Sequence, residues 1–216
     1  MTLLRYRFST LAFLVTASGI VAGVAQAHQP RFPGQGVSVV NDPDVSQAWY
    51  AELTGEPAEY VIHVPDSLLL YVGVLVPRIP YVTEDYTAVV STELNGVDEV
   101  AFVLDGPNAT WTDFFEPFAG DHYWQGPEKR VRVGPGTYKV VVSNPGNRGK
   151  YVLAIGERES FPPAEAARTI GQMPRLKRYF GKSVWTSYFN LSGVFVGVSA
   201  ALVAGIVVLA VSLARR

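Results

Sequence analysis

Cysteine is absent from this 216-residue chain, which excludes disulfides, thiol nucleophiles, thiolate metal sites and lipid attachment to an N-terminal cysteine. Histidine is scarce, with His28, His63 and His122 only. No G-x-S-x-G elbow, P-loop, H-E-x-x-H helix or dinucleotide fingerprint occurs. A Ser-His-Asp set would escape such a scan, because its members converge only in the fold. Positive charge is missing from one region: residues 28–128 carry sixteen acidic side chains against Arg31 and Arg78 alone. Residues 129–182 reverse the balance, with twelve basic side chains against Glu157, Glu159 and Glu165. No acid-free basic face exists, so nucleic acid is not an expected partner. Interleaved strands from the two halves would neutralise each other, whereas an unmixed acidic surface would attract cations or basic partners.

Long apolar runs occur twice. Arg5 and Arg7, the stretch 11–24 and Ala25-Gln26-Ala27 follow the order of a secretory signal with a small-x-small cleavage site, so residues 1–27 are expected to be removed. Residues 191–214 contain no charge and are long enough at 1.5 Å per residue to cross a hydrocarbon core of about 30 Å. Trp185, Tyr188 and Phe189 precede this span like an interfacial belt, and Arg215 and Arg216 follow it, which implies a cytoplasmic membrane protein with its N-terminal domain outside. The basic cluster Arg175, Lys177, Arg178 and Lys182 is placed to meet anionic head groups.

Between the two runs, short strands alternate with Gly, Pro, Asn and Asp. Strands are predicted at residues 46–53, 59–64, 68–76, 86–92, 99–104, 129–133, 137–143 and 151–155. Eight strands without an intervening helical pattern imply an antiparallel β-sandwich, jelly-roll-like, over residues 28–160. In GTYKVVVS, Tyr138, Val140 and Val142 share one face, and Tyr151, Leu153 and Ile155 repeat the pattern after the turn at Asn144-Pro145-Gly146, so the two strands read as a hairpin. The apolar run LLLYVGVLV suits a central strand covered on both sides. A linker, residues 161–190, is expected to start a short helix near Ala164 that Pro174 interrupts. Its stripe of Ile170, Met173, Leu176, Tyr179 and Phe180 suits either the membrane surface or the sandwich.

The segment GPGTYKVVVSNPGNRGKYVLAIG resembles the closing strands of pre-peptidase C-terminal-like domains, β-sandwiches of secreted bacterial proteins, through Gly136, Tyr138, Val140, Val142, Gly149, Tyr151, Leu153 and Ile155. The stretches SQAWYAELTGEP and FFEPFAGDHYWQGPE look like those of uncharacterised single-pass bacterial envelope proteins. These resemblances imply an accessory role, binding matrix or glycan, sometimes with structural calcium. The usual setting of such domains, beside a protease domain, is not expected here.

Three kinds of site follow from residue types. TWTDFFEPFAGDHYWQGPE, residues 110–128, concentrates Trp111, Phe114, Phe115, Phe118, Tyr123 and Trp124 in what reads as a long loop, offering stacking platforms for a protein or glycan partner or else capping the core. Calcium would need convergent oxygens, for which Asp42, Asp44, Asp98, Glu99, Asp105, Asp113, Glu116 and Asp121 are available without a calcium-loop spacing. Cleavage after Ala27 would make the His28 amine and imidazole a chelate for Cu(II), with His122 as the second ring and His63 a weaker candidate. The expected function is a membrane-tethered binding or accessory module. A copper-binding protein or copper oxidase and a structural small subunit of an envelope complex are the alternatives.

Overall fold

The computed structural model describes residues 28–34, 36–94 and 97–215; the expected signal peptide lies outside them. Eleven strands form two sheets: β1 (Gln29–Arg31), β2 (Ser38–Val40), β3 (Gln47–Thr54), β4 (Ala58–Val64), β5 (Leu68–Pro77), β6 (Thr87–Leu94), β7 (Val97–Asp105), β8 (Thr112–Glu116), β9 (Asp121–Val133), β10 (Gly136–Ser143) and β11 (Arg148–Ile155). One sheet runs β1-β3-β11-β5-β9-β8 and the other β2-β4-β10-β6-β7. The domain is therefore a β-sandwich, with every predicted strand present. It departs from a purely antiparallel design, because β1 pairs with β3 and β2 with β4 in parallel.

Period-2 patterning builds the core between the sheets. Tyr138, Val140 and Val142 face Tyr151, Leu153 and Ile155 across it, all buried. Those two strands are not a hairpin: β10 bonds to β4 and β6, and β11 to β3 and β5, so the turn at residues 144–147 carries the chain from one sheet to the other. Alternation shows which face of each strand is buried, and two strands with buried faces satisfy it equally well side by side or face to face. The Tyr60 and Tyr151 hydroxyls meet between the sheets at 2.7 Å, pairing two polar atoms that desolvation would otherwise penalise.

The apolar run of β5 lies between β11 and β9 and is buried on both faces along most of its length. Its outer neighbour β9 is thirteen residues long, far longer than the predicted 129–133. Gly126 and Pro127 hid its first half; the register with β5 shifts between Gly73 and Leu75, and Pro127, which has no N–H, sits at that irregularity.

A second apolar layer covers the outer face of the six-stranded sheet. Helix α1 (Pro163–Tyr179) places Met173 and Leu176, with Phe180 just beyond it, against Ala48, Tyr50, Tyr123 and Val152. Burying those three side chains contributes about 1.5–3 kcal/mol each. The apolar stripe thus meets the sandwich rather than a membrane. Pro174 does not interrupt α1, contrary to expectation. The carbonyl it leaves without an N–H partner, that of Ile170, accepts a hydrogen bond from the Tyr188 hydroxyl at 3.1 Å. Tyr188 closes a 3-10 turn, Val184–Tyr188, that leads into α2 (Leu191–Ala214), an apolar helix long enough to cross a membrane.

Candidate functional site

The region 110–128 is not a loop. β8 and β9 pair as a hairpin in which Asp113 opposes Trp124, Phe114 opposes Tyr123, Phe115 opposes His122 and Glu116 opposes Asp121. Alternation divides the aromatic candidates between two faces. Phe114 and Tyr123 turn toward α1, where Tyr123 is 2% exposed and its hydroxyl bonds to that of Tyr50 at 2.9 Å. Tyr123 is therefore a packing residue and is not available to a partner. Phe114 is half-buried in the same layer.

Trp111 and Trp124 are half-buried against the core between the sheets. The Trp111 indole donates to the Gly106 carbonyl at 3.0 Å and lies flat on Gly126, where a Cβ would stand 2.5 Å from ring atoms. It is held as a cap on the sandwich. The Arg78 guanidinium covers the Trp124 ring at 4.9 Å and reaches the Asp113 carboxylate at 3.0 Å. Phe115 is 50% exposed and packs on the His122 ring at 4.8 Å between centroids. Asp113 also lies 3.4 Å from His122 Nδ1.

Together Asp113 and Phe115 on β8, His122 and the Trp124 edge on β9, and Arg78 just after β5 make an exposed aromatic and charged patch at the β8 edge of the sheet. Arg78 was not among the expected site residues. It is one of only two cations among residues 28–128, and that rarity was the available signal. Its backbone N–H donates to the His122 carbonyl at 2.9 Å, which seats it beside the hairpin.

On the opposite face lies a buried polar cluster. Asp121 is fully buried and accepts from Lys177 Nζ at 2.9 Å and Lys182 Nζ at 2.6 Å; Lys177, 2% exposed, also donates to the Ala119 carbonyl. Glu116 is buried beside them, and its two oxygens accept the backbone N–H groups of Phe118 and Ala119, each at 2.8 Å. Burial pushes its carboxyl up to about 7, with Asp121 adding to the shift and the two N–H donors opposing it. Of the basic residues expected to meet head groups, Lys177 is buried on Asp121, whereas Lys182, bonded to the same carboxylate, Arg175, stacked on Phe32 at 4.1 Å, and Arg178 are exposed.

The metal candidates are dispersed. His28 precedes β1 and lines a small cavity with Tyr50, Leu75 and Phe114, on the α1 side of the sheet. Burial lowers its pKa, with Glu157 opposing the shift. His122 is on the other face of β9, and His63 is exposed on β4 in the second sheet, bonded to Thr137 at 3.2 Å. The structure thus brings neither ring to His28.

Several oxygens considered for calcium are already occupied, Asp44 by Arg158, Asp98 by Lys139, Asp105 by Asn108 and Asp113 by Arg78. Among the described residues no group of three or more His, Asp or Glu side chains could hold a metal ion. Two of these contacts, Asp44–Arg158 and Asp98–Lys139, join carboxylates of the acidic stretch to cations of the basic one, as does the buried Asp121–Lys177 pair, and the two halves neutralise each other at those points.

No family model matches the chain, and no curated protein matches it significantly. Solved structures similar to it include the pre-peptidase C-terminal domain of a collagenase from Bacillus anthracis, at 13% identity and TM-score 0.34 over 57% of this chain and 96% of that one. Another is a surface-associated copper-binding protein of Methylomicrobium album BG8, at 8% identity and TM-score 0.30 over 60% of this chain and all of the other.

Proposed function

We propose that this protein is a non-enzymatic, membrane-tethered module that presents its β-sandwich outside the cytoplasmic membrane and engages a protein or glycan partner through the β8–β9 edge. In this reading residues 1–27 direct export, α2 crosses the bilayer and Arg215 and Arg216 stay on the cytoplasmic side. The observation that carries the reading is the patch of Phe115, His122, Arg78, Asp113 and Trp124. It combines a half-exposed aromatic ring on β8, whose outer edge has no neighbour in the sheet among the described residues, with a cation stacked on the indole of the adjoining strand β9. Aromatic and arginine side chains of this kind supply large contact area with directional polar edges.

A photo-crosslinking amino acid placed at Phe115 of the full-length protein, with Val39 on the other sheet as control, tests the reading in membranes of the source cells. The Phe115 position is expected to give a discrete adduct that the Arg78→Ala substitution weakens. A glycan partner would appear instead as retention of the detergent-solubilised protein on immobilised envelope polysaccharide, lost on Phe115→Ala. Identical adducts at both positions, together with retention unchanged by Phe115→Ala, would overturn the assignment.

A further inference from the structure

The junction between the sandwich and α2 has no slack. The first turn of an α-helix leaves backbone N–H groups without intrahelical partners, and lipid cannot supply them. Here the Ser192 N–H donates to the Phe118 carbonyl at 3.1 Å, so the tip of the β8–β9 hairpin supplies one acceptor. Asn190 caps the same turn, its side chain accepting from Gly193 N at 3.3 Å while its amide donates to the Ala119 carbonyl at 2.7 Å. Lys182 reaches the Gly120 carbonyl at 3.3 Å. Every residue of the tip from Phe118 to Gly120 thus holds the approach to the helix or its first turn. Gly193 is required for the fit, since a Cβ there would lie 1.7 Å from the Tyr188 carbonyl oxygen.

Beside this clamp the chain exposes rings that nothing in the sandwich covers. Trp185 is 85% exposed and Phe189 84%, both within six residues of the apolar helix, and Tyr188 is 42% exposed. Aromatic side chains of this sort partition to the boundary between head groups and acyl chains. Phe189 stands two residues before Leu191, and the clamp fixes the hairpin tip at the same level.

We infer that the sandwich is seated directly on the bilayer, with Trp185 and Phe189 inserted in the head-group boundary and the tip Pro117–Gly120 resting against it. This rests on the tethered reading above. The pose is set by the clamp and does not swing on a flexible stalk. At about 3.3 Å per residue it also places the Phe115–His122 pair only a few ångströms above the lipid, so a partner must approach along the membrane surface.

The absence of cysteine makes the test direct, because a single introduced cysteine carries a single label. Trp185→Cys, Phe189→Cys and Pro117→Cys variants of the full chain, and Asp66→Cys as an exposed control between β4 and β5, at the end of the sandwich away from the tip, are labelled with an environment-sensitive nitrobenzoxadiazole dye. They are then reconstituted into phosphatidylcholine–phosphatidylglycerol vesicles containing shallow doxyl-lipid quencher. Labels at 185 and 189 are expected to shift to the blue and be strongly quenched, the label at 117 to be quenched partially, and the label at 66 to match water. The side chains at 185 and 189 are 85% and 84% exposed, so their loss is expected to leave the fold intact. Vesicle-bound protein whose 185 and 189 labels behave like the control overturns the seating and leaves the tether standing. Quenching at 185 and 189 with a control-like label at 117 overturns the placement of the tip. Protein that fails to float with vesicles after alkaline extraction overturns the tether itself, and the seating with it.

Discussion

Replacing Asp121 by alanine removes the only carboxylate that contacts Lys177, among the described residues. Asp121 is fully buried, and Lys177 is 2% exposed under α1. After the substitution Lys177 keeps the Ala119 carbonyl but has no carboxylate in contact, with Glu116 only nearby, and the ammonium cannot reach water without displacing the helix. Breaking one side of a buried pair costs roughly 3–5 kcal/mol, because the surviving charge is desolvated and uncompensated. Lys177→Met is milder. Lys182, 42% exposed and 2.6 Å from the carboxylate, still balances Asp121, and the thioether chain fills the apolar stem's space.

The expected loss for Lys177→Met is about 1–3 kcal/mol, the scale of a hydrogen bond to a charged group. Thermal unfolding of the full chain in detergent, followed by circular dichroism, should place the variants in the order wild type, Lys177→Met, Asp121→Ala. At roughly 2–4 °C per kcal/mol for a chain of this size, Asp121→Ala should lower Tm by about 6–20 °C. A cost for Asp121→Ala below about 1 kcal/mol, the value of an exposed pair, would refute the idea that this contact holds α1 to the sheet.

Three further outcomes follow from the same junction. Glu116 has a folded-state pKa raised from 4.5 to about 7, so the folded protein binds more protons than the unfolded chain between those values, and stability should fall as pH rises through that window. Glu116→Gln should remove that part of the slope, up to about 3 kcal/mol at 1.36 kcal/mol per pH unit, in denaturant titrations at pH 5 and pH 8. Tyr188→Phe should cost about 0.5–1.5 kcal/mol by leaving the Ile170 carbonyl unpaired, and much less in a Pro174→Ala background where position 174 regains its N–H; a double-mutant cycle reads the difference. Gly193→Ala should separate the 3-10 turn from α2, because its Cβ would overlap the Tyr188 carbonyl, and be seen as a broadened distance between spin labels at positions 81 and 189.

Strand content was legible because period-2 alternation marks a half-buried strand wherever it is long enough to show a period. β1 and β2 have three residues each and show none. β8 escaped because its five residues, TDFFE, are flanked by turn formers and its alternation places rings on both faces. The candidate site was legible as a composition, the crowd of rings from Trp111 to Trp124, but not as a surface. Pairing with β9 sends Tyr123 under α1, fixes Trp111 on Gly126 and leaves only Phe115 widely exposed.

The amino-acid sequence by itself determined the class of fold, the apolar helix Leu191–Ala214 and the lack of any thiol chemistry, because each depends on local pattern or composition. Only the tertiary structure decided that 137–143 and 151–155 face each other across the core, that the basic cluster before the span is partly buried against Asp121, and that His28 and His122 lie on opposite sides of one sheet. Those outcomes depend on which strands pair, and pairing is set by contacts between residues far apart in the chain, which no local period encodes.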